Sequence, residues 1–345
     1  MKYTTLPNTD IKVSKICLGT MTFGEQNTLT EGHQQLDYAV AQGVNFIDTA
    51  ELYAVPARPE TYGATEKIIG SWLQKTNQRD QLVLASKIAG PGAYTAHIRK
   101  EGYTKKTIFS AIENSLQRLQ TDYIDLYQLH WPERTTNYFG VRDYKHDITE
   151  AWQENYEIVL EALNTAVKEG KIRQYGVSNE TAWGTMKFVH EAAKKNVPQL
   201  ITIQNPYSLL CRTFEGALAE VSMRENVGLL AYSPLGFGVL SGKYLGGKQP
   251  KKTRLSLFPK FSRYSSKEAT LATEKYAKIA QKNGMTLAQM SLAWVTQQPW
   301  VTANIIGATN LAQLKENIGS IAYTLSETVL DEINEVHRVL PNPAP

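Results

Sequence analysis

Hydrophobic and polar residues alternate along the 345-residue chain in two rhythms. Short segments, "KICLGT", "VNFIDTA", "LVLASK", "IDLYQLH", "YGVSN", "LITIQN", "GLLAYS" and "NIIGAT", are apolar on both faces, as strands of a covered parallel sheet are. Between them, apolar residues recur every three or four positions over 31–43, 65–76, 104–120, 151–170, 181–196 and 213–226. Two further helical patterns, 267–284 and 287–298, precede the last strand, and 310–321 and 326–340 follow it. Gly43 and Gly170 stand where helix C-caps belong. Eight strand–helix units with no break in composition predict a (β/α)8 TIM barrel, a single domain over 1–345. Residues 1–15 read as an N-terminal β-hairpin that plugs the barrel floor. Long loops at the C-terminal face, 54–64, 88–103, 131–149 and 233–265, have a length that marks function.

Composition narrows the class of function. A formal net charge of +4 is too small to indicate nucleic acid or membrane. Two cysteines, Cys17 and Cys211, make no disulfide framework, which suggests a reducing compartment. The N-terminus lacks an apolar run of signal-peptide length, and no run approaches the roughly 18 residues of a membrane helix. The expectation is a cytoplasmic protein acting on a small molecule, with no nucleic-acid or membrane partner; oligomeric partners are not readable. His33, His97, His146, His190 and His337 have no metal-ligand spacing, HExxH is absent, and no metal is expected. "GFGVLS" lacks the glycine spacing of a dinucleotide loop, so a doubly wound domain is not expected.

In such barrels the chemistry lies where strands end. The strand exits carry Asp48, Lys87, His130, Ser178 with Asn179, Gln204 with Asn205, and Tyr232 with Ser233. Tyr53, just beyond Asp48, can reach the same bowl. Carbonyl reduction needs a hydride donor and a proton donor acting together. A free phenol has a pKa near 10, and a neighbouring ammonium lowers it. Asp48 would keep the sheltered Lys87 charged, and His130 would orient the substrate oxygen. Taken singly, each residue has a duller explanation: a helix cap, a core aromatic, a surface lysine, a structural histidine. Their positions on successive strand ends favour the joint reading.

These segments resemble the aldo-keto reductases. "CLGTMTFG", "DTAELY", "ASK", "DLYQLHWP", "GVSN", "IQNPYSLL", "AYSPLGFGVLSGKY" and "IIGATNLAQLKENIG" match that family's motifs in its order, over nearly the whole chain. The likeness looks closest to the bacterial Tas-type reductases and the potassium-channel β subunits. It implies NADPH-dependent reduction of an aldehyde or ketone, with Tyr53 as general acid, Lys87 and Asp48 tuning it and His130 placing the carbonyl. It further implies that Ser178, Asn179 and Gln204 hold the carboxamide of the nicotinamide, that Asp48 also contacts the cofactor, that Tyr232 stacks on the ring, and that Ser233, Pro234, Leu235, Gly236 and Phe237 wrap the diphosphate. Gly307, Thr309, Gln313, Glu316 and Asn317 would face the adenosine, and Thr20, Met21 and Gln26 would approach the cofactor from the first loop. Lys243 and Arg254 align with cations that bind the 2′-phosphate, which favours NADP. Thr309 departs from the pattern, because many relatives carry a cation there. The basic run 243–263 also includes Lys248, Lys251, Lys252, Lys260 and Arg263, and a solvated loop remains its plainer reading.

Many family members continue from the aspartate through tyrosine and glycine in one run. Here "AVPARPE" separates Tyr53 from Tyr62-Gly63, so two tyrosines compete. The five-residue offset from Asp48 favours Tyr53. Met21, Phe23, Trp131, Tyr207 and the loop 131–149 would wall the substrate pocket. That loop's aromatics, with Arg134, Arg142 and Lys145, suggest an aromatic or medium-sized carbonyl and room for a carboxylate. Two other functions are compatible with the same residues. One is an NADP-binding, redox-sensing interaction protein with slow turnover, and the other is a Schiff-base lyase acting through Lys87.

Overall fold

The computed structural model describes residues 1–259 and 261–345. Eight parallel strands close into a barrel: β3 (Ile16–Gly19), β4 (Phe46–Asp48), β5 (Val83–Ile88), β6 (Ile124–Leu129), β7 (Ile172–Ser178), β8 (Thr202–Pro206), β9 (Gly228–Tyr232) and β10 (Val301–Ile306). Strand β10 closes the ring by pairing with both β9 and β3. The expected segments are all present, as is the helical layer outside them.

Side-chain alternation along the strands sorts the residues. Phe46, Val83, Ala85 and Leu126 point into the barrel, whereas Ile47, Leu84 and Tyr127 belong to the apolar layer shared with the helices. Two residues beyond an inward Phe46, Ala85 or Leu126 comes Asp48, Lys87 or Gln128. The barrel interior thus turns from apolar to polar toward its C-terminal mouth, and the period of two decides which residues arrive there.

The hairpin of β1 (Tyr3–Thr5) and β2 (Lys12–Ser14) closes the opposite end. Leu6 and Val13 are fully buried against Cys17, Phe46, Leu126 and Leu230. Asn45 ties the hairpin to β4, accepting from Ser14 N at 2.7 Å and donating to Lys12 O at 2.9 Å. The floor is therefore dry, and the open end of the barrel is the polar one.

Helix α1 (Leu29–Ala41) starts on a Thr28–Glu31 capping box, and the chain leaves it through Gly43 at φ +83, a region open to glycine at little cost. Helix α4 (Tyr156–Lys168) begins five residues later than the pattern 151–170 suggests. Asn155 is held across the connection, donating to Glu133 Oε2 at 2.5 Å and Tyr103 O at 3.1 Å. The pattern 213–226 is likewise broken, into a short 3-10 turn (Thr213–Glu215) and helix α6 (Leu218–Arg224). The remaining helices are α2 (Ala64–Thr76), α3 (Lys105–Leu119), α5 (Ala182–Lys195), α7 (Arg254–Leu257), α8 (Lys267–Lys282), α9 (Leu287–Gln297), α10 (Leu311–Gly319) and α11 (Glu327–Val339). Among the described residues, no helix is long and apolar enough to cross a membrane.

Candidate active site

A cleft of about 1720 Å3 opens at the polar end of the barrel. At its base lies a buried ion pair. Lys87, fully buried, donates from Nζ to Asp48 Oδ2 at 2.6 Å and to Thr49 O at 2.7 Å. The second carboxylate oxygen of Asp48 accepts from Gln204 Nε2 at 2.8 Å. Gln128, also buried, completes the group: its Nε2 lies 3.4 Å from Asp48 Oδ1 and its Oε1 accepts from Gln204 at 3.3 Å. The pair is thus held by hydrogen bonds on both carboxylate oxygens, the arrangement that makes buried charge tolerable.

Tyr53 stands over this pair. Its ring centre is 5.1 Å from Lys87 Nζ and 5.6 Å from the His130 ring, in an edge-on arrangement. Burial pushes the Tyr53 phenol up from its ordinary value; Asp48 adds to this and Arg254 opposes it. Contrary to expectation, Lys87 does not bring this phenol down. The ammonium is neutralised by Asp48, and loss of water dominates. Burial, with Lys87 second, drives the His130 imidazole well below its usual value, so it is neutral at pH 7. Its Nδ1 has no protein partner among the described residues.

Tyr62 is elsewhere. Its hydroxyl accepts from Arg118 Nη1 at 3.2 Å, in a group with Glu66 outside the cleft lining. Of the two tyrosines, only Tyr53 meets Lys87 and His130.

The Aldo/keto reductase family model matches residues 15–338. Over the whole length of both chains, the protein is 50% identical to "Protein tas" of Escherichia coli. It is 34% identical to the "Uncharacterized oxidoreductase YrpG" of Bacillus subtilis, covering 97% of this chain and 96% of that one. A "Probable voltage-gated potassium channel subunit beta" of Arabidopsis thaliana is 29% identical over 99% of this chain and 98% of its own. The chain belongs to the aldo-keto reductase family. It is an oxidoreductase by that membership.

Along the cleft of this aldo-keto reductase lie Thr20, Met21, Gln26, Ser178, Asn179, Tyr232, Ser233, Pro234, Leu235 and Phe237. Asn179, at φ +54, donates to His130 O at 2.9 Å and accepts from the Tyr232 hydroxyl at 2.6 Å. Burial pushes Tyr232 up to about 12 against the pull of Arg263. Ser178 Oγ donates to Gln204 O at 2.7 Å, joining the wall to the base. Gly236 sits at φ +51 beneath the Tyr264 ring rather than on the cleft surface. Farther along, Gly307, Thr309, Gln313, Glu316 and Asn317 line the cleft. Gln313 Oε1 accepts from Thr309 N at 3.0 Å, and Glu316 accepts from Thr286 at 2.7 Å.

Lys243 and Arg254 also line it, both partly buried. Burial and then the neighbouring Arg254 lower Lys243; burial brings Arg254 down to about 10. No carboxylate acts on either among the described residues. Arg254 lies 4.9 Å above the Phe237 ring, and its field reaches Tyr53. Lys251, Lys252 and Arg263 border the same cleft, Lys248 lies outside it, and Lys260 falls outside the described residues.

The substrate wall is partly different from expectation. Trp131 lines the cleft, stacked on Tyr94 at 5.3 Å and edge-on to Phe139 at 5.8 Å. Phe23 does not: the turn that bonds its N–H to Thr20 O buries its ring in the main core against Gly32 and Ile68. Tyr207 does not either; it stacks on Trp294 at 5.1 Å and donates to Glu215 at 2.6 Å. Arg134 is consumed by a buried pair with Glu180, Lys145 is exposed, and Arg142 reaches the cleft while donating to Pro343 O at 3.0 Å. Tyr94, in a short 3-10 turn (Ala93–Thr95), and Phe139, in an irregular loop, carried no periodic signal in the sequence. Nor did Glu51, which accepts from Ala89 N at 2.6 Å and pairs with Arg99. It pins the turn before Tyr53 to the loop after β5.

Replacing Asp48 with Asn leaves a buried ammonium without its counter-charge, which costs about 3–5 kcal/mol. Denaturant unfolding should show a loss of that order for Asp48→Asn. The double variant Asp48→Asn/Lys87→Met should lose less than the two single losses combined.

Proposed function

We propose that this family member is an NADPH-dependent reductase of aldehydes or ketones, with Tyr53 giving the proton. The observation that carries this reading is the meeting of the Tyr53 ring, the buried Lys87–Asp48 pair and a neutral His130 at a large cleft. The residues fit a dinucleotide. The cleft is large, it carries polar groups that suit a carboxamide, and two partly buried cations line it with no carboxylate acting on them among the described residues. Unpaired cations in such a place answer to phosphate. When bound, the cofactor supplies the hydride.

The chain's own residues do the rest. His130, uncharged, directs an N–H toward the substrate oxygen without competing as an acid. Tyr53 holds its proton through neutral pH, because burial raises it, and delivers it to the oxygen as negative charge develops there. The same raised value disfavours the reverse reaction, which needs the phenolate, until alkaline pH. Gln204 is oriented by its bond to Asp48, and its Oε1, which that bond does not use, would be the group to hold the carboxamide. Tyr232 offers its ring to the nicotinamide, and Lys243 with Arg254 takes phosphate charge, the 2′-phosphate included. Tyr94, Trp131 and Phe139 favour a flat, aromatic carbonyl. A cytoplasmic setting accords with two buried, free cysteines.

The slow, redox-sensing alternative draws on the channel-subunit relative, and only turnover separates it from the reductase. A Schiff-base role for Lys87 finds no support, since its nitrogen is committed to Asp48 and Thr49.

Under this reading Tyr53→Phe should cut kcat for reduction by at least about 100-fold, the lower range for a lost general acid. Tyr62→Phe should stay within a few-fold of the parent, and steady-state assays of both variants decide between the tyrosines. Lys243→Ala and Arg254→Ala should each raise KM for NADPH about tenfold or more, as loss of a charged hydrogen bond does, while KM for NADH changes little. Equal effects on both cofactors would remove the 2′-phosphate assignment.

A further inference from the structure

The segment that separates the two tyrosines forms a compact loop with a closed base. Ala54 N donates to Thr61 O at 3.2 Å and Gly63 N to Glu51 O at 3.0 Å. Its tip folds back as well, with Thr61 N and Tyr62 N on Arg58 O at 3.2 and 3.0 Å. Between base and tip, Val55, Pro56 and Ala57 face the cleft. Val55 and Ala57 pack on a small apolar cluster of their own that includes Leu52, Tyr53 and Trp131, with Met21 and Tyr138 beside it. This cluster is separate from the main core and surrounds the proposed proton donor.

Two contacts hold the loop against the opposite lip. Val55 N donates to Met21 O at 3.3 Å, and the Arg58 guanidinium pairs with Glu25, whose side chain lines the cleft next to Gln26. The pair thus joins the loop carrying the apolar wall to the loop that follows β3. Arg58 is outside the cleft lining.

We propose that Val55, Pro56 and Ala57 are specificity-determining residues, a wall that limits substrate width beside Tyr53, and that Arg58 and Glu25 are the clasp that keeps this wall in place. The proposal rests on the carbonyl-reductase reading of the same site. A one-ring aldehyde fits between this wall and the Tyr94–Trp131–Phe139 side and gains contact with both. A two-ring aldehyde meets the wall as an obstacle. Opening the clasp weakens the first and relieves the second. Because the wall touches substrate similarly before and during reaction, the effect on the one-ring substrate falls on KM and leaves kcat nearly unchanged.

The test compares benzaldehyde with 2-naphthaldehyde at saturating NADPH in the parent, Arg58→Glu, Glu25→Arg and the exchanged double variant Glu25→Arg/Arg58→Glu. A partly exposed ion pair limits the expected effect to about fivefold. Arg58→Glu should raise KM for benzaldehyde by about that factor, leave 2-naphthaldehyde unchanged or improved, and so narrow their ratio of kcat/KM. The double variant should restore the ratio. Backbone hydrogen exchange on the free protein reads the clasp without turnover: the Ala54 and Val55 amides should exchange about fivefold faster in Arg58→Glu and return to parental rates in the double variant. Equal losses on both aldehydes, or a double variant no better than the singles, overturns the specificity role. Unchanged exchange in Arg58→Glu overturns the clasp. If the parent oxidises no NADPH with either aldehyde, the wall's role as stated for aromatic aldehydes falls, while the carbonyl-reductase reading falls only if a wider panel of aldehydes and ketones also fails; the exchange rates still decide whether the clasp exists.

Discussion

An ammonium with no exposed surface must be neutralised where it stands. In this protein Lys87 is that group, and the mouth of the barrel is arranged around the requirement. Asp48 supplies the charge, Thr49 a carbonyl, and Gln204 and Gln128 occupy the other carboxylate oxygen. These residues come from β4, β5, β6 and β8 or their exits, so the pair forms only when the barrel is closed in the correct register. Registers that place Asp48 opposite Ala85 and Lys87 opposite Gln128 deliver the side chains to one level. A slip by one residue would send the lysine outward. The dry floor beneath, with Leu6 and Val13 sealing it, leaves the polar groups no route to water except through the cleft.

The same pair sets the chemistry above it. Tyr53 rests close to a lysine whose charge is already matched, and burial therefore prevails and keeps the phenol protonated. Lys243 and Arg254 line the same cleft, where cationic charge is left unmatched by any carboxylate among the described residues. A ligand that suits this cleft carries an uncharged reactive group and phosphate together. That combination, more than any single residue, is what the proposed dinucleotide answers.

Much of this was legible from the chain alone. Asp48, Lys87 and His130 could be placed because strand exits were visible and the two-residue period fixes which side chains turn inward. The barrel followed from the alternation of short apolar segments with helical ones. The failures share a cause. Phe23 is two residues from Met21, yet a tight turn rotates its ring into the core, and Tyr207 leaves β8 just where α9 offers Trp294 to stack against. Direction after a strand end is set by turn geometry and by which cavity needs filling, neither of which has a period. Glu51 with Arg99, and Arg58 with Glu25, were invisible because each pair is made by loops distant in sequence. Arg134 looked available for a substrate carboxylate, but Glu180 across the fold claims it.

Everything proposed for this cleft depends on hydride transfer taking place over the Lys87–Asp48 pair. NADPH titration by fluorescence, followed by absorbance assays with aromatic aldehydes and ketones, addresses it most directly. One tight site per chain is expected, with oxidation of NADPH that depends on the carbonyl added. Tight binding with no carbonyl-dependent oxidation across the panel would contradict it.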